Sequence, residues 1–86
     1  MAVEVTLLQD ESNCQIVQVS GRRYPGVVVQ GDSLSNLVDL ASEIVQLLDT
    51  KDIDEAKVTA QELHGLLFAR LEAYKDALNR KEQAGN

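Results

Sequence analysis

The sequence predicts an α+β fold, a three-stranded antiparallel sheet followed by two helices of which the second is long, in the order βββαα. Three observations carry that expectation. Apolar and polar residues alternate within the first thirty positions. At Gly31 the apolar period lengthens to that of a helix. After a polar break over 49–52 the helical period resumes and runs to about Gln83 with no proline to interrupt it.

In the first strand Val3, Val5 and Leu7 alternate with Glu4 and Thr6, the pattern of a strand with one covered face. Asp10-Glu11-Ser12-Asn13, four turn formers in a row, ends it. Ile16 to Val19 makes the second strand, with Val17 and Val19 on one side and Gln18 on the other. Gly21-Arg22-Arg23 turns the chain. Pro25-Gly26 then leads into Val27-Val28-Val29, a third strand too apolar to have an entirely wet face. Short connections make an antiparallel meander over 2–30 the expected topology.

Leu34, Leu37, Val38, Ala41, Ile44, Val45 and Leu48 share one face of a helix over 33–49, and Leu40 and Leu47 widen that stripe to roughly half the circumference. Asp32 or Ser33 is placed to cap it by accepting from a backbone N–H of the first turn. Asp49-Thr50-Lys51-Asp52 separates it from a second helix over 53–83, and Asp52 with Glu55 has the spacing of a capping box. Ala56, Ala60, Leu63, Leu67, Leu71, Tyr74 and Leu78 form its apolar stripe, Asp76 and Arg80 an i,i+4 ion pair, and Gly65 its weak point. Residues 84–86 should fray. The core implied by these periods is Val5, Val17, Val19, Val29, Leu37, Ala41 and Ile44.

At 86 residues the chain is too short to divide its apolar surface between two cores, so a single domain over 1–86 is expected. Fourteen acidic against eight basic side chains give a net charge of -6, which repels phosphate backbones and anionic membranes and attracts basic proteins. With one Phe, two Tyr and no Trp there is little to stack on bases or sugars, so no nucleic-acid partner is expected. A single cysteine fits a reducing compartment, and the N-terminus lacks the basic and apolar regions of a signal peptide. No apolar run is long enough to span a membrane, and a cytoplasmic location follows as the expectation.

Chemistry is sparse. One His and one Cys are too few for the common zinc sets, so no metal or cofactor is expected. Cys14 reads as a small inert side chain and His64 as a packing or surface residue of the second helix, since no Ser or Cys stands in the context of an activated nucleophile. Gly31-Asp32-Ser33 matches neither phosphate-loop pattern and reads as a turn and cap. The carboxylates at 49, 52, 54 and 55 lack EF-hand spacing and read as a solvated helix start. Catalytic residues are therefore expected to be absent and the protein not an enzyme. Arg22 and Arg23, beside Tyr24, are the basic pair of the strand half and form a candidate partner-binding turn, against the plainer reading of a solvated hairpin tip.

The stretch YPGVVVQGDSLSNLVDLASEIVQLL, Tyr24 to Leu48, resembles the HicB-like antitoxin group through Pro25, Gly26, Gly31, Asp32, Ser33, Leu34 and Ala41. In that group a Pro-Gly step enters a strand that ends in Gly-Asp-Thr/Ser-Leu and feeds a helix. The resemblance implies a truncated RNase H-like unit, with Leu34 seating the helix on the sheet. It further implies a bacterial protein that masks a basic toxin, usually a small ribonuclease. The chain departs from the group by entering one long helix where a fourth strand and often a DNA-binding element would follow. YPGVVVQGDSL also looks like a set of small uncharacterised bacterial proteins, which would leave the function open.

Two functions are thus expected: a non-enzymatic interaction domain in the manner of a HicB-like antitoxin or immunity protein, or a self-associating structural or regulatory domain without a toxin. Self-association has its own support. A helix of about 31 residues spans ~46 Å at 1.5 Å per residue, more than the ~30 Å diameter of a compact domain this size, so it should overhang or bend at Gly65. Leu66, Phe68, Arg70, Leu71 and Tyr74 are its candidate homodimer interface, with Arg70 expected to meet a carboxylate there.

Overall fold

The computed structural model describes residues 4–11 and 14–84. Strands β1 (Val5–Glu11), β2 (Cys14–Val19) and β3 (Gly26–Val28) are followed by helices α1 (Gly31–Asp49) and α2 (Ile53–Ala84). The fold is a three-stranded antiparallel sheet followed by two helices, the second longer, as the periodicities predict. Two compact units make up the chain: residues 1–29 with 70–86, and residues 30–69.

The first unit holds the sheet, ordered β1-β2-β3, and the C-terminal part of α2. Val5 pairs with Val19 and Leu7 with Val17, and the register then shifts so that Gln9 faces Ile16, leaving Leu8 as the extra residue of a bulge. β1 continues through Asp10 and Glu11, past the point where the sequence places its end, because both residues stay in register with β2. Ser12 and Asn13, the rest of that expected turn, lie outside the described residues, as do Val3 and the last two residues of the expected frayed tail; Ala84 itself ends α2. Gly21 makes the β2–β3 turn with φ at 83°, a backbone region open to glycine and costly for other residues. Arg22 N–H donates to the Val19 carbonyl at 3.0 Å, and Gln18 Nε2 donates to the Arg22 carbonyl at 2.7 Å, which closes the turn.

The second unit is a helical hairpin. α1 opens at Gly31, two residues earlier than expected, with Gln30 as N-cap and no side-chain cap bond. Asp32 and Ser33 therefore lie inside the first turn, where Ser33 N–H donates to Asp32 Oδ1 at 2.8 Å. Gly31, read from the sequence as part of a turn, has no left-handed φ and open space where a Cβ would stand, so its place in the first helical turn does not require glycine. α1 ends in a Schellman motif: Asp52 N–H donates to the Leu47 carbonyl at 2.8 Å and Lys51 N–H to the Leu48 carbonyl at 3.0 Å. Lys51 takes the left-handed position, φ 61°, that glycine usually fills. Asp52 then caps α2, accepting from Glu55 N–H on Oδ1 at 3.4 Å, the cap that the Asp52/Glu55 spacing foretells.

Burial assigns the inner faces. On α1 the covered positions are Leu37 and Leu40, with Ile44 and Leu47 half-buried; on the first part of α2 they are Ala56 and Thr59, with Leu63 and Leu66 half-buried. Steps of three and four repeat on both helices, the spacing of a heptad seam in an antiparallel pair. The expected stripes are thereby corrected. Ala41 is exposed where burial was expected, and Ala60, Leu67 and Leu71 lie off the covered face of α2. Ala56 keeps its place from the expected stripe, and Thr59 joins it in the seam because small side chains let two helices approach closely, a property that an apolar count does not register.

Candidate functional site

Strand parity and register sort the sheet residues onto two faces. Ile16, Gln18, Val27 and Thr6 share one, and Ile16 on it is completely buried. The last turns of α2 cover this face. Lys81 Nζ donates to Gln18 Oε1 at 2.6 Å, and Leu8, on the same side as Thr6, lines a shallow hollow with Ala77, Arg80 and Lys81. The Arg80–Asp76 ion pair at 3.0 Å holds the same stretch of helix as the spacing predicts.

The opposite face carries Val5, Leu7, Val17, Val19 and Val28. It is largely apolar and open, with Gln15 beside Val28: Val5 is 58% exposed and Leu7 52%, while Val17 and Val19 are half-buried. Separation of Val17 and Val19 from Gln18 agrees with the sequence. Which of the two faces the helix covers does not, since Val5, Val17, Val19 and Val29 were expected to form the core and none of them is fully buried. Alternation from Thr6 places Leu8 on the side of Ile16, the side on which the last turns of α2 pack.

α1 is divided in the same way. Leu34, Val38, Val45 and Leu48 are all about half exposed, and on α2 Ile53, Leu67 and Phe68 match them. Leu34, expected to seat the helix on the sheet, is among these open side chains. Periodicity finds the apolar arc of α1 but not the split of that arc into a covered and an open half. The covered heptad at 37, 40, 44 and 47 was the available signal.

The other candidate residues fall as follows. Arg22, Arg23 and Tyr24 stand together and exposed on the β2–β3 turn, the Arg23 guanidinium 5.3 Å from the centre of the Tyr24 ring, a cation–π contact that presents both as one surface. Pro25 is buried at the entry to β3, followed by Gly26 in the strand. Of the residues proposed for an oligomer interface, Phe68 and Leu71 are exposed, while Leu66, Arg70 and Tyr74 are half-buried, with Arg70 Nε shielded from solvent. α2 runs unbroken through Gly65. His64 and Phe68, one turn apart, stack with ring centres 5.8 Å from each other.

Among the described residues no three His, Cys, Asp or Glu side chains are grouped as a metal ion would require. No helix among them is long and apolar enough to cross a membrane. What the described surface offers is apolar area rather than convergent polar groups. No curated protein and no solved structure was found to match the chain. Residues 1–85 match the model of DUF6959, a family of unknown function, and the chain belongs to that family.

Proposed function

We propose that the chain is a non-enzymatic protein-interaction domain of the cytoplasm that docks a protein partner on the open face of its sheet. The observation that carries this reading is the contiguous surface of Val5, Leu7, Val17, Val19 and Val28. Keeping such a surface in water costs about 25 cal/mol per Å² of apolar area, a cost that a docked partner removes. The net charge of -6 favours a basic partner and speeds its approach. The HicB-like run from Tyr24 to Leu48 supports a finer form, in which the partner is a small basic toxin, a ribonuclease in the usual case, inhibited by masking of its active surface. Arg22, Arg23 and Tyr24 then sit at the rim to meet acidic groups of that partner.

The test is calorimetric titration of the purified chain with the product of a small basic reading frame beside its gene. Binding that weakens with added salt and is lost in Leu7→Asp supports the proposal. The absence of any such basic neighbour, or binding that Leu7→Asp leaves unchanged, contradicts it.

A further inference from the structure

The hairpin formed by α1 and the first part of α2 has two sides of opposite character. Lettering its covered positions as a heptad puts Leu37, Ile44, Ala56 and Leu63 at a, and Leu40, Leu47, Thr59 and Leu66 at d. The e positions are then Leu34, Ala41 and Leu48 on α1 and Ile53, Ala60 and Leu67 on α2. The neighbouring b positions are Val38, Val45, Lys57 and His64. In an antiparallel pair the e positions of both helices fall on the same side, so these ten residues form one surface, and every one of them is exposed. It contains no carboxylate and one cation, Lys57, whose long stem lets its charge reach the edge. The opposite side, at g and c, carries Asp39, Glu43, Glu55 and Glu62, all exposed, with Val58 among them.

We infer that the carboxylate-free side of this hairpin is a dimer interface and that its occupant is the same side of a second copy of the chain, giving a four-helix arrangement. Charge selects the occupant. A basic partner would find nothing acidic on this side to receive it, whereas a second acidic chain can approach here without bringing carboxylates together. Area agrees. Leu34, Val38, Val45, Leu48, Ile53 and Leu67, each about half exposed, open on the order of 550 Å², and Ala41, Ala60, Lys57 and His64 extend the patch toward the about 800 Å² per partner of a standard interface. A twofold axis closes the contact, because one patch of this kind is complementary to itself. Ala41 and Ala60 at the centre let helices from the two copies approach closely.

Sedimentation equilibrium of the full chain at micromolar concentration tests this. The expected mass is twice 9.4 kDa. Val38→Glu and Ala60→Glu should each raise the dissociation constant by at least about tenfold, because each places charge in the apolar contact. Ala60→Glu introduces a good helix former at an exposed site, so circular dichroism should show its helices intact. Glu62→Gln, on the acidic side, should leave the dimer unchanged. A wild-type chain that sediments at 9.4 kDa, or a dimer that survives both charged variants, overturns the inference. Leu7→Asp in the sheet should not alter the mass, so failure of the sheet-face proposal and failure of this one are read separately.

Discussion

In the sheet, successive residues of one strand end in opposite surroundings: Ile16 is fully buried, while Val17 and Val19 look out from an open face. In the hairpin the divide runs instead through a single continuous arc. Leu40, Leu37, Leu34 and Val38 occupy adjoining positions around α1, and the first two are covered while the last two are open. The difference follows from side-chain period. A strand has two faces separated by a half-turn, so a residue and its successor fall cleanly on opposite sides and one side alone is packed. A helix with apolar residues over roughly 200° has no such gap, and its partner helix covers only the part of the arc that it can reach. Both units arrive at the same condition, one packed apolar face and one open apolar face.

Substitutions on the two sides of each divide should separate it cleanly, beginning with the largest effect. Ile16→Ala should cost about 2–5 kcal/mol by urea denaturation, the range for a buried side chain cut back to a methyl group, whereas Leu7→Ala on the open face should cost under about 1 kcal/mol. Equal losses at the two positions would mean that the sheet has no preferred face. On α1, Leu40→Ala should cost about 2–4 kcal/mol, and Leu34→Ala in dilute protein less than about 0.5 kcal/mol. Reversal of that order would rotate the covered face of α1 by about 100°.

The turns give smaller but equally directional effects. Gly21→Val should lose about 1–2 kcal/mol because a β-branched side chain is strained at positive φ, while Gly31→Ala should be neutral or slightly stabilising in the first helical turn. Asp52→Ala should lose about 1 kcal/mol with the cap of α2, seen as a lower thermal midpoint and no change in sedimenting mass.

Much of this fold is legible in the sequence. Alternation at Val5, Leu7, Val17 and Val19 locates two strands, and Asp52 with Glu55 locates the start of α2 to the residue. Three features were hidden, each for a physical reason. A bulge at Leu8 depends on cross-strand register, which no single strand encodes. Burial of Thr59 depends on helix approach, where smallness counts for more than apolarity. The open half of the α1 arc was legible as apolar but not as open, because periodicity points to the centre of an arc and the packed seam lies on its flank. Gly31, in the motif that the resemblance rests on, has no positive φ; positive φ falls at Gly21 and at Lys51, where a lysine stands in the place of a glycine.

The claim that each unit packs one apolar face and leaves the other open is tested most directly by hydroxyl-radical footprinting of the dilute chain, read residue by residue. Within each unit the account predicts strong labelling of one side chain and protection of another close to it: Leu7 against Ile16 in the sheet, and Leu34 against Leu37 in the hairpin. Labelling of Ile16 and Leu37 as fast as Leu7 and Leu34 would contradict it.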